Sequence, residues 1–217
     1  MVLRILIRGD KYGLKNAYTN KVVVEPIYKD MALIRKNPRF YRAEDQRGNN
    51  GVLSGTTGKV IVPFKYDHIH FLRPNFFELY LGDLNGVALL NGKVIIPPTY
   101  EYLSYNKFYD LFEVGTGYSE MGIINGKGKI IVPLEYESID MHRMGLEVLT
   151  EKGKVGMYSH AGKLLIPVIF AELYRRPSAY YVVAAMKEGS NKTITFKILH
   201  QKTAPFYQTI RDIFNAI

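Results

Sequence analysis

The chain has 217 residues, 47% hydrophobic and 23% charged, a balance that points to a folded globular protein and excludes a disordered one. It has no cysteine, which excludes disulfides, thiolate metal sites and cysteine nucleophiles. Its net charge of +9 and isoelectric point near 9.5 favour acidic partners, whether nucleic acid, acidic proteins or anionic lipid surfaces.

The N-terminus opens directly on a strand pattern, Val2 to Ile7. Arg4 and Arg8 interrupt it too soon for a signal peptide. No apolar stretch reaches the roughly 18 residues of a membrane span, so a cytoplasmic location is expected. From there the chain repeats itself. A glycine opens a short apolar run at Gly13, Gly51, Gly86, Gly122 and Gly156, in steps of 38, 35, 36 and 34. A proline closes the next run at Pro26, Pro63, Pro97, Pro133 and Pro167. An aromatic residue follows at Tyr28, Tyr66, Tyr100, Tyr136 and Phe170. Lys202, Pro205 and Tyr207 form a degraded sixth copy, giving a period of about 36 residues.

Each copy reads as strands. Phe77 to Leu81, Leu111 to Val114 and Leu146 to Leu149 are rich in β-formers, and Asn91-Gly92 is a hairpin signal between two apolar runs. Only Ile210 to Ile217 has a helical period, and it is short. The proline run starts with lysine in all six copies, at Lys21, Lys59, Lys93, Lys129, Lys163 and Lys202. Proline cannot donate to a sheet ladder, and lysine with proline guards exposed sheet edges. An all-β fold is therefore expected, with one small antiparallel sheet per repeat and the proline strand at its edge. The repeats run approximately over 1–28, 29–66, 67–100, 101–136, 137–170 and 171–207 of a single domain. The first copy lacks the segment after the aromatic, and residues 207–217 match that segment. The expected architecture is a six-bladed β-propeller closed by this C-terminal strand, and the alternative is an open β-solenoid of stacked hairpins.

Lys11-Tyr12-Gly13, Asn20-Lys21-Val22-Val23-Val24 with Pro26-Ile27-Tyr28, and Gly58-Lys59-Val60-Ile61-Val62-Pro63 with Tyr66-Asp67 resemble the WG-repeat family of bacterial tandem repeats. The resemblance covers about residues 8 to 174. It implies a β-rich scaffold and transfers no catalytic residue. The chain departs from the family in having no tryptophan. Tyr12, Asn50, Asn85, Met121 and Val155 stand in its place.

Two further positions recur when the copies are aligned on the aromatic. Three residues after it, Met31, Ile69, Leu103, Ile139, Leu173 and Ile210 are apolar and should face a core. Seven residues after it stand Arg35, Arg73, Lys107 and Arg143, with Arg175 and Arg176 just before the fifth place. These six basic residues are the candidate partner-binding set, because clustered like charges would be relieved by an acidic ligand. The turn lysines are read as edge guards. His68 and His70 share a strand face without a third ligand nearby and read as a polar surface, not a metal site. The recurrent tyrosines read as packing residues, with a sugar-binding platform as the alternative. Asp67, Glu101 and Glu137 read as partners of turn amides. Gly115-Thr116-Gly117 lacks the helix and lysine of a phosphate loop, and hydrolase and metalloprotease motifs are missing. The expectation is a non-enzymatic scaffold without cofactor or metal, binding an acidic protein through the basic face. Nucleic acid is the alternative, hinted at by Tyr105 beside Lys107 and Phe71 beside Arg73. A glycan is the third reading.

Overall fold

The computed structural model describes residues 2–34, 37–72, 75–117, 120–176, 181–185 and 193–197. The segment 207–217, expected to close a ring, lies outside them, as do Lys202 and Pro205 of the sixth copy. Every described regular element is a strand, and among the described residues no helix is long and apolar enough to cross a membrane. By contacts the chain divides into two compact units, Met1–Glu135 and Tyr136–Ile217.

The first unit holds four sheets. The first sheet contains β1 (Leu3–Arg8), β2 (Lys11–Asn16) and β3 (Val22–Tyr28). The second contains β4 (Asp30–Leu33), β5 (Phe40–Glu44), β6 (Asn50–Ser54) and β7 (Val60–Tyr66). The third contains β8 (His68–Leu72), β9 (Phe76–Leu81), β10 (Leu84–Leu89) and β11 (Val94–Tyr100). The fourth contains β12 (Tyr102–Asn106), β13 (Leu111–Gly115), β14 (Met121–Asn125) and β15 (Ile130–Tyr136), whose last residue begins the second unit. The second unit adds a fifth sheet of β16 (Ser138–His142), β17 (Gly145–Leu149), β18 (Val155–Tyr158) and β19 (Leu164–Phe170). Its sixth sheet has β20 (Glu172–Arg176), β21 (Tyr181–Ala185) and β22 (Thr193–Lys197).

Strand order along each sheet follows chain order, so every sheet is a simple antiparallel meander. The proline strands β3, β7, β11, β15 and β19 lie at sheet edges, as the lysine and proline pattern requires. Among the described residues no strand pairs with β1 on its outer side, and β1 occupies the place of β9: Leu6 faces Gly13 as Leu79 faces Gly86.

The motif glycine and the proline form one structural device. Tyr12 faces Tyr28 while Leu14 faces Val24, so four residues of the proline strand cover the step that two cover on its neighbour. The same bulge recurs between Asn50↔Tyr66 and Val52↔Val62, and between Val155↔Phe170 and Met157↔Ile166. Proline is tolerated there because a bulge removes it from the ladder. The bulged backbone then folds over the glycine. A Cβ on Gly86 would lie 2.6 Å from Pro98 N and 2.8 Å from Pro97 C, and one on Gly51 would lie 2.8 Å from the Phe64 ring.

Cores lie between consecutive sheets. Leu3, Leu14, Tyr28, Met31, Tyr41 and Leu53 pack the first against the second, and Val52, Tyr66, Ile69, Phe77 and Leu79 the second against the third. Phe76, Val87, Ile96, Phe112 and Val114 join the third to the fourth. Within the second unit, Met157, Ile166, Phe170 and Ala184 do the same. Each large apolar side chain so buried contributes about 1.5–3 kcal/mol. The position three residues past the aromatic serves these cores, with Met31, Ile69 and Ile139 all buried.

Candidate functional site

In an antiparallel meander the first and third connections emerge at one end of the sheet, and the second emerges at the other with the link to the next sheet. Both recurrent sets of basic residues therefore share an end. The third connection carries the turn lysines Lys21, Lys59, Lys93 and Lys129, and the first carries Arg39 and Lys107.

Turn chemistry shapes the third connection. Asn16 Oδ1 accepts the amides of Tyr18 and Thr19 at 2.8 and 3.0 Å, and Asn125 Oδ1 accepts those of Lys127 and Lys129 at 3.0 Å. Gly58, Gly92 and Gly128 hold φ values of 75, 87 and 83°, and Asn20 takes that role at 58°. These glycines also rest on the preceding sheet. A Cβ on Gly58 would meet Val24 at 2.7 Å, one on Gly92 the Ile61 carbonyl carbon at 2.9 Å, and one on Gly128 Ile95 at 3.1 Å. Each contacted residue sits near the start of its proline strand, at the same end. The four sheets of the first unit thus stand the same way up, and their lysine-bearing ends form one face.

The two ends differ in charge. Among described residues of the first unit, connections at this end hold Lys21, Arg39, Lys59, Lys93, Lys107, Lys127 and Lys129, all exposed, against Asp110 alone. The opposite connections hold Asp10, Asp45, Asp67, Asp83, Glu101 and Glu120 against Lys29 and Arg47. The ion pairs, Arg8–Glu25, Lys29–Glu44 and Arg42–Asp30, involve none of the seven basic residues. The acidic end is used internally. Asp67 accepts the Gly82 amide at 2.6 Å, as the sequence leads one to expect, and Asp45 accepts those of Arg47 and Asn49. Burial opposes ionisation of Asp45, yet these amides hold its carboxyl below the ordinary 3.8.

Of the six residues singled out by sequence, Lys107 lies exposed on this face. Arg143 is exposed between β16 and β17 of the second unit, at the same end of the fifth sheet as Lys163. Arg35 and Arg73 lie outside the described residues, as do the side chains of Arg175 and Arg176 that end β20.

Two aromatic assignments change. Tyr105 and Phe71 are core residues, not platforms beside the charges. Tyr105 packs on Phe76 and Phe112 with centroids at 5.3 and 4.7 Å, and donates its hydroxyl to Asp110 at 2.9 Å. Burial and then that bond push its pKa up to about 12. Phe71 lies 6.0 Å from Phe77. The face instead presents Tyr18 and Phe108, 80% and 82% exposed, which sequence reading missed. The signal available was strand parity: Leu103 and Ile69 were assigned inward, and two residues on Tyr105 and Phe71 share their side.

The recurrent aromatics among the described residues serve packing and form no sugar platform, with Tyr100 half-buried and Tyr207 outside the described residues. Tyr28, Tyr66, Tyr136 and Phe170 are buried, and Tyr28 stacks on Phe64 at 4.9 Å. At the tryptophan position, Asn50 donates to Asp67 O and Asn85 to Glu101 O, each at 2.9 Å, which ties the third strand to the link leading to the next sheet. His68 and His70 are exposed and flank the buried Ile69, and no group of metal-binding side chains occurs among the described residues.

A model of the WG containing repeat matches residues 54–75, 90–113 and 121–141, spanning the turn, the proline strand and the start of the next sheet in the first two matches. Residues 54–141 thus carry repeats similar to those of the WG-repeat family. No curated protein matches it. Similar solved structures include the computationally designed Ika8 protein, at 10% identity over 83% of this chain and 66% of that one with a TM-score of 0.33. Hsv2p of Kluyveromyces lactis matches at 10% identity over 94% and 75% with a TM-score of 0.34. A eukaryotic initiation factor matches at 12% over 92% and 64% with a TM-score of 0.39. The chain spans less than two thirds of the length of the designed protein and of the initiation factor.

Proposed function

We propose that this repeat protein is a non-enzymatic interaction scaffold that receives an acidic protein surface on the lysine-rich end of its sheets. The observation that carries this reading is the split of charge between the two sheet ends of the first unit. Seven exposed basic residues face one acid at one end, and acids predominate at the other. Edge guarding accounts for Lys21, Lys59, Lys93 and Lys129, which begin proline strands. It gives no reason for Arg39, Lys107 and Lys127, which lie off those strands. Like charges gathered on one face repel, and an acidic partner relieves that repulsion and is steered to it over about 8 Å at physiological salt. Repeats of this kind present extended surfaces on which many modest contacts add up. Arg143 and Lys163 place the same charge on the corresponding end of the fifth sheet. Arg35, Arg73, Arg175 and Arg176 belong to the proposed set by sequence.

The test is partner capture from native lysate with and without nuclease. It uses the full chain, a Lys59→Glu/Lys93→Glu/Lys107→Glu/Lys129→Glu variant, and a variant of equal net charge changed at the other sheet ends, Lys11→Glu/Arg47→Glu/Lys152→Glu/Lys154→Glu. Nuclease-resistant acidic proteins should be lost only with the first variant. Capture that survives that variant, or that nuclease abolishes, overturns the reading.

A further inference from the structure

The lysine-rich end carries an apolar element that charge alone does not call for. Phe108 is 82% exposed in the connection between β12 and β13. Its backbone is fixed, since its amide donates to Asn106 Oδ1 at 3.0 Å. Lys107 Nζ sits 5.1 Å from its ring centroid and holds a cation over one ring face.

The neighbouring connection, between β14 and β15, is tied to this one. The Gly126 amide donates to Asp110 O at 2.9 Å, which brings Lys127 and Lys129 beside Lys107 and Phe108. Asp110, the one acid here, is exposed, but its carboxylate is engaged within the fold. It accepts the Tyr105 hydroxyl, and a Cβ on Gly126 would collide with its carboxylate. Gly128 rests on Ile95, two residues past Lys93, which extends the cluster onto the third sheet. One exposed phenyl ring thus carries the Lys107 ammonium on one face and shares this end of the sheets with Lys93, Lys127 and Lys129, on a scaffold of well-bonded turns.

A single exposed aromatic is ordinary on a protein surface. Here the two most exposed aromatic side chains among the described residues, Tyr18 and Phe108, both lie on the lysine-rich end. An aromatic on a short, hydrogen-bonded turn loses little conformational entropy on binding, and such residues act as interface anchors. A uniformly charged ligand would gain nothing from the ring.

We infer that Phe108, paired with Lys107 and on the same face as Lys93, Lys127 and Lys129, is the anchor of this face, and that the partner segment places an apolar side chain between carboxylates. This rests on the reading of the lysine-rich end as the site for an acidic protein. The apolar side chain covers the open face of the ring, and the flanking carboxylates meet the ammonium groups at this end of the sheets.

The test measures binding of two synthetic peptides to the full chain: glutamates around one central leucine, and the same peptide with alanine in its place. Oligothymidylate is the third probe. The wild type should prefer the leucine peptide by about tenfold, the scale of one buried aliphatic group. Phe108→Ala should remove that preference and leave affinity for the alanine peptide unchanged, while Phe108→Leu should keep most of it. A Lys107→Gln/Lys127→Gln/Lys129→Gln variant should weaken both peptides alike. A wild type without preference, or a preference that survives Phe108→Ala, overturns the anchor alone. Peptide binding untouched by the triple lysine variant overturns the acidic-partner reading and the anchor together. Loss of oligothymidylate binding in Phe108→Ala, without a peptide preference in the wild type, assigns the ring to base stacking and overturns the anchor.

Discussion

Tyr66 and Tyr136 occupy the same place in two proline strands, β7 and β15, and their hydroxyls have opposite fates. Tyr66 is fully buried, and its hydroxyl has no hydrogen-bond partner among the described residues. Tyr136 is buried at 2% exposure, and its hydroxyl lies 2.8 Å from that of Tyr158. The register explains the difference. Tyr158 stands on the sheet that follows that of Tyr136, and Val155 faces Phe170 as Asn85 faces Tyr100, so on the sheet that follows that of Tyr66 the place of Tyr158 is held by Ala88 of β10, whose side chain has no polar atom to offer. A buried hydroxyl without a partner costs about 1–3 kcal/mol, whereas a made bond contributes about 1 kcal/mol net. Tyr66→Phe should therefore stabilise the chain by about 1 kcal/mol, an increase of about 2–4 °C in Tm for a chain of this size. Tyr136→Phe should destabilise it by about the same amount, since Tyr158 is left without that partner. Thermal unfolding followed by circular dichroism, with urea midpoints as a second measure, reads both. Loss of stability in Tyr66→Phe equal to that in Tyr136→Phe would refute the reasoning, because it would mean that the Tyr66 hydroxyl is bonded.

Three other substitutions probe the repeat. Gly86→Ala should cost about 1–3 kcal/mol by urea unfolding, because the new methyl meets bulged backbone, and Gly117→Ala, with open space around it, should be neutral. Asn50→Ala should cost about 1–3 kcal/mol in the same assay, since it leaves the Asp67 carbonyl without its donor. His160 bonds through Nε2 to His142 O, and burial holds its pKa below the ordinary 6.5. The unfolded chain then takes up the proton first, so this stability is complete above pH 6.5 and declines as pH falls below it. Tm measured between pH 7.5 and 5 should drop more steeply for the wild type than for His160→Asn, and equal slopes would remove His160 from the account.

The architecture was legible because its markers are backbone chemistry. Pro63 and Lys59 placed β7 at an edge, and the run from Val2 to Ile7 placed β1 at the position of β9. The bulge was not legible, because Gly86 and Pro97 stand on different strands and only the register shows one folding over the other. On the candidate site, sequence reading found Lys107 in the set after the aromatic and Lys21, Lys59, Lys93 and Lys129 at the turns, and missed Arg39 and Lys127, which recur at no repeat position. That both sets emerge at the same sheet end follows from a meander of four strands, a fact of connectivity. Phe108 was missed although it adjoins Lys107 in sequence, because strand parity was not applied and Tyr105 was taken as the aromatic beside the charge. Tyr105 faces Phe112 across the ladder and belongs to the core, while Phe108 lies beyond the strand end, where alternation no longer applies.

The central claim is that charge is sorted by sheet end, and that the lysine-rich end is where acidic ligands bind. Binding of the full chain to poly-L-glutamate at physiological salt tests it most directly, comparing wild type with the two quadruple variants of equal net charge. Lys59→Glu/Lys93→Glu/Lys107→Glu/Lys129→Glu is expected to abolish binding, and Lys11→Glu/Arg47→Glu/Lys152→Glu/Lys154→Glu to leave most of it. Equal losses in both variants would show that net charge alone governs binding and would contradict the account.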